Sequence, residues 1–100
     1  MPKRNWLVED NLVALYIALH GYNGLAYDLK EIRKIIPYSG FSMRVNQFKA
    51  VRTEGREGLK SGLKSPLYNE LYSIFAGFEQ GKFARLVNLI LKVKSELTGS

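Results

Sequence analysis

The chain is 100 residues long, 46% apolar and 24% charged, a balance that excludes a disordered polymer and allows one hydrophobic core, since below roughly 40 to 60 residues buried surface barely offsets chain entropy. Fifteen Lys and Arg against nine Asp and Glu leave a formal charge of +6, which favours a polyanionic partner, nucleic acid ahead of an anionic membrane. The absence of cysteine excludes disulfides and thiolate metal sites and fits a cytoplasmic chain, and the one histidine, His20, cannot build a zinc site with Cys or His partners.

Glu9 and Asp10 interrupt the first apolar run, so it does not read as a signal peptide. Residues 11–27 are uncharged but contain Asn, His and two glycines, and fall short of the roughly 20 apolar residues a bilayer requires. Val8, Leu12, Leu15, Tyr16 and Leu19 recur at helical spacing, which predicts a first helix over 8–20 stopped by Gly21. A turn rich in Gly and Asn follows. Asp28 with Glu31 three positions later resembles a capping box and Pro37 forbids continuation, which predicts a second helix over 28–36. Ser39 is the expected cap of a third helix over 39–51.

That third helix carries the functional reading. Phe41, Val45 and Phe48 share one face, while Met43, Arg44, Asn46, Gln47 and Ala50 point elsewhere. Arg donates bidentately to guanine and Asn or Gln to adenine, each good pair contributing about 1–3 kcal/mol of discrimination. The short connection between the second and third helices suits a helix-turn-helix unit with the first helix packed across both. Met43, Arg44, Asn46 and Gln47 are therefore the candidate base readers in a DNA groove.

These residues also resemble a family. Trp6, Glu9, Ala14-Leu15, the run Ser42-Met43-Arg44-Val45, Phe48 and Gly58-Leu59 are similar to the small helical domain that precedes the nuclease in some HNH-type endonucleases, over residues 6–64. Leu7 stands where that pattern has Thr, the tyrosine of the first helix is at Tyr16, two positions early, and Gln47 stands in place of Asn. The resemblance implies a helical DNA-binding module without the nuclease, because no metal-holding His and Asn cluster follows.

Residues 52–66 shift in composition, with Arg52, Arg56, Lys60 and Lys64 against Glu54 and Glu57, and with Gly55, Gly58 and Gly62 between them. With Lys49 these cations are the candidate phosphate contacts, on a pliable loop whose plainer alternative is a solvated linker. Ser65 and Pro66 are a favoured cap and first-turn pair, which predicts a fourth helix over 66–79 with Leu67, Leu71, Ile74, Phe75 and Phe78 inward and Tyr68 and Tyr72 at its edge. Gly81 is the expected break before a fifth helix over 82–97. Phe83, Leu86, Val87, Ile90, Leu91 and Val93 spread over more than one face of it, so it either sits deep in the monomer or packs on a second copy, as in dimers that read paired half-sites.

The expected architecture is thus all-α, a bundle of about five helices in one domain over 1–97, with Thr98-Gly99-Ser100 set apart as a tail. No nucleophile, base and orienting residue stand together, no cofactor fingerprint is present, and the chain reads as a binding protein and not an enzyme. Duplex DNA is the leading partner. A protein-interaction module using Met43 and the outer side of 83–93 is the rival, and RNA is third, because the aromatics follow helical core spacing.

Overall fold

A computed structural model describes residues 7–37 and 40–98, the Thr98 side chain excepted. Five helices follow in order, α1 Val8–His20, α2 Leu29–Ile35, α3 Phe41–Thr53, α4 Pro66–Phe75 and α5 Gln80–Thr98, with a 3-10 turn, Lys60–Lys64, ahead of α4. The described residues contain no strand, so the all-α bundle is the observed architecture. None of their helices is long and apolar enough to cross a membrane.

α1 is the central element because its sequence is apolar on every side. Every residue from Leu12 to Ala18 is buried, and α3, α4 and α5 pack around it. The Leu7 N–H at its start donates to Asp10 Oδ2 at 3.1 Å, while Asp10 Oδ1 lies 3.0 Å from Lys94 Nζ on α5. The turn after α1 is pinned to α5 by Asn88, whose Nδ2 donates to the Gly24 carbonyl (3.0 Å) and whose Oδ1 accepts from the Ala26 N–H (2.9 Å). The Tyr16 hydroxyl donates to the Asn23 carbonyl in the same turn.

The capping box of α2 forms as its sequence requires, Asp28 accepting from the Glu31 N–H at 2.8 Å and Glu31 accepting from the Asp28 N–H at 3.0 Å. Ile32, fully buried, anchors α2 against α5, whereas α3 rests on α1 and α4. Arg33 reaches α3 with its guanidinium 5.8 Å above the Phe41 ring. α2 and α3 thus take their main support from different neighbours.

Several expected boundaries shift. α3 starts after Gly40, whose φ of +85° makes the left-handed corner, and runs on to Thr53; Ser39 and Trp6 lie outside the described residues. α4 ends at Phe75, where Ala76 and Gly77 turn the chain, so Gly81 falls inside the first turn of α5. Thr98 belongs to α5 and not to a tail, while Gly99 and Ser100 lie outside the described residues. α4 is also rotated from its expected orientation: Tyr68 is buried with Leu71, and Leu67, Ile74 and Phe78 face outward. The cause is local, since the Tyr68 ring stacks on Phe48 at 4.4 Å and its hydroxyl accepts from Arg44, an aromatic contact with a polar anchor that Leu67 cannot supply. In α5, Phe83, Ala84, Val87 and Leu91 face the core, with Phe83 stacked on Phe75 at 5.3 Å.

Candidate nucleic-acid interface

α3 is covered on two sides. Phe41, Val45, Phe48 and Val51 enter the core, and residues 54–64 fold back over the opposite side of its C-terminal half. Glu54 adopts a left-handed conformation (φ 56°) and the Gly55 N–H donates to the Ala50 carbonyl at 2.8 Å, which ends the helix and reverses the chain. Thr53 Oγ1 then donates to the Lys49 carbonyl (2.8 Å) and accepts from the Glu57 N–H (2.9 Å), while the Leu59 N–H donates to the Asn46 carbonyl at 3.0 Å. Gln47 Nε2 donates to Ser61 Oγ at 3.0 Å.

Two glycines allow this approach. A Cβ at Gly58 would stand 3.0 Å from the Ala50 nitrogen and strike the Asn46 carbonyl oxygen, and one at Gly62 would stand 2.7 Å from the Gln47 carbonyl carbon. The loop is therefore neither a pliable clamp nor a solvated linker. Ala50, expected to face a partner, is fully buried in α3, whose backbone there Gly58 closely approaches.

Arg44 turns inward. Its Nη1 donates to Asn11 Oδ1 on α1 (3.1 Å) and to the Tyr68 hydroxyl on α4 (2.7 Å), and Asn11, buried itself, donates to the Leu7 carbonyl at 3.2 Å. A guanidinium at the meeting point of three helices contributes to their alignment, and reaching a base would require leaving two charge-assisted bonds. Gln47 is held by Ser61, so of the four expected base readers Met43 and Asn46 remain turned outward, Met43 at 49% exposure and Asn46 half-buried. Ser42, exposed and adjacent, joins them. Ser42 entered the sequence expectation only through the family resemblance; its place beside Asn46 four residues on was the available signal.

The phosphate candidates all lie on α3 or on the segment that follows it. Lys49 is half-buried beside Gly58, Lys60 packs its carbons against Gly55, and Arg56 Nε donates to the Thr53 carbonyl at 3.1 Å while its side chain remains exposed. Lys64 and Arg52 are exposed as well. Between α1 and α3 lies an open cleft of about 300 Å³ in which Ile17, Phe41 and Val45 supply apolar surface and Ser42, Asn46 and Lys49 polar groups. Among the described residues no group of three His, Asp or Glu gathers to hold a metal ion.

His20, the last residue of α1, packs its ring against Tyr16 (5.1 Å) and Phe83 (6.5 Å), and burial, helped by the Arg52 charge, lowers its pKa from the ordinary 6.5. The unfolded chain thus takes up this proton first. The stability His20 contributes is complete above about pH 6.5 and is lost as pH falls from there through the lowered folded-state value. The stability difference between wild type and His20→Gln, measured by urea unfolding, should be flat above neutrality and shrink on acidification; a difference that grows would reverse the assignment.

Comparison with protein-family models, curated proteins and solved structures finds no match to this chain. The functional reading therefore stands on the geometry of this surface.

Proposed function

We propose that the protein binds duplex DNA without catalysis of its own, using the uncovered N-terminal half of α3 against the groove and the docked loop against the phosphate backbone. The observation that carries this reading is the division of α3: its C-terminal half is locked under a loop bearing Arg56, Lys60 and Lys64, while Ser42, Met43 and Asn46 remain accessible on the other half. A recognition helix reads bases through its N-terminal residues, and cations beside it fix register on the phosphates. Apart from the inward-turned Arg44, residues 43–64 hold five Lys and Arg against two Glu, the sign such a surface requires. The resemblance of residues 6–64 to the helical domain of HNH-type endonucleases agrees with this role.

The test is anisotropy with duplex DNA, single-stranded DNA and RNA at two ionic strengths. Duplex affinity should fall steeply with salt, and Lys60→Ala and Lys64→Ala should each reduce the slope by about 0.9 per phosphate contact. Asn46→Ala should relax preference among sequences by about 1–3 kcal/mol, whereas Arg44→Ala should act through stability. Salt-independent binding, or equal loss on all three nucleic acids from Asn46→Ala, removes groove reading from α3. The rival interaction module would no longer use Phe83 or Val87, which face inward; what favours it is the exposed apolar strip of α5.

A further inference from the structure

Independently of nucleic acid, α5 keeps a second apolar strip that the monomer does not use. Leu89, Val93 and Leu97 recur four apart and remain 57%, 45% and 79% exposed, with half-buried Leu86 and Ile90 beside them. The strip borders an open groove of about 370 Å³ against Leu7 at the start of α1. Contiguous apolar surface of this kind marks an interaction site.

The charges along its edge select the occupant. Arg85, Lys92 and Glu96 are exposed on the same flank of the strip, with Arg85 and Glu96 about three turns apart at its opposite ends. We infer that α5 pairs antiparallel with α5 of a second copy of this chain, about a twofold axis level with Leu91. In that register Leu89 meets Val93 of the partner subunit, Leu86 meets Leu97 of the partner subunit, and Arg85 meets Glu96 of the partner subunit. Each of these pairs is centred within about one residue, roughly 1.5 Å, of the same point. A twofold keeps residues of one flank on one side of the seam, so the two ion pairs form together. Parallel pairing would put this flank of the two copies on opposite sides of the seam, so Arg85 would not meet Glu96 of the partner subunit.

The test is sedimentation equilibrium of the full chain over a concentration series, with circular dichroism to confirm folding. The wild type should dimerise. Val93→Glu and Arg85→Glu, both at exposed positions, should weaken dimerisation at least tenfold with unchanged helicity, and the double variant Arg85→Glu/Glu96→Arg should restore it. A wild-type monomer throughout, or a dimer indifferent to Val93→Glu, overturns the inference. So does a monomer in which Val93→Glu shifts the fluorescence of Trp6, the only tryptophan; that result would assign the groove to the chain's own N-terminal residues. A wild-type monomer that captures an unrelated amphipathic helix peptide counts against it equally.

Discussion

Gly62→Ala should destabilise the protein by about 1–3 kcal/mol, a large cost for one added methyl group. Gly62 does not require a left-handed backbone, so the loss would come from contact alone: the new Cβ would stand 2.7 Å from the carbonyl carbon and 2.8 Å from the Cα of Gln47, and neither can move without bending α3. Gly58→Ala should cost at least as much, because there the collision with the Asn46 carbonyl adds to a φ of +76°. Gly77→Ala is the control. Nothing lies within 4 Å of its added methyl and no left-handed conformation is at stake, so it should be neutral or stabilise by about 0.4–1 kcal/mol through the unfolded chain. Urea midpoints for the three variants give the comparison, and limited proteolysis within 54–64 reports whether Gly62→Ala releases the loop. Equal midpoints for Gly62→Ala and Gly77→Ala would show that the loop does not sit on α3. The variant also probes the proposed DNA surface, since a loop displaced from α3 would carry Lys60 and Lys64 away from Asn46 while leaving every charge in the chain.

How far the sequence disclosed this arrangement depended on the range of the interaction concerned. α1 was legible to its last residue because its apolar spacing and Gly21 stop are both local, whereas the Leu7–Asp10 corner was not anticipated. The Asp28–Glu31 box and the Ser65–Pro66 start were legible for the same reason, each being a set of bonds closed within four residues. The orientation of α4 was not. Leu67 is as apolar as Leu71, and only the stacking of Tyr68 on Phe48, twenty residues away, decides which side faces inward. Arg44 misled for a related reason: an arginine flanked by Met43 and Val45 reads as an exposed cation until Asn11 and Tyr68 are brought to it by the fold. Gly58 and Gly62 were read as sources of pliability, yet their spacing of about one helical turn also suits close approach to another backbone, which is the use made of them. Asn88 fixing the turn at Gly24 and Ala26 had no sequence signal at all, because the bonds span more than sixty residues.

Lys94→Met should be the most damaging single side-chain change, at about 3–5 kcal/mol, because it removes the counter-charge from a fully buried carboxylate. Asp10 is 0% exposed; its Oδ2 is held by the Leu7 N–H, and Lys94 Nζ is the cation beside Oδ1. Lys94 itself retains 15% exposure, which places the expected loss towards the lower end of that range through partial screening. The ion pair need not stabilise the fold relative to a neutral replacement, since burying either charge carries a desolvation cost comparable to their attraction. Asp10→Asn combined with Lys94→Met should therefore recover most of the loss, the amide oxygen still accepting from the Leu7 N–H. Asp10→Leu with Lys94→Met should recover less, by about 1 kcal/mol, because that helix-start N–H then loses its acceptor. Chemical denaturation of the wild type and these three variants separates the charge from the hydrogen bond. A loss below about 1 kcal/mol for Lys94→Met would class the pair with solvated surface bridges and would mean that water reaches Asp10 when the lysine is gone. The strip of α5 proposed to meet a second copy includes Val93, the neighbour of Lys94, so a dimer would remove the remaining water path and raise the cost of the single substitution with protein concentration.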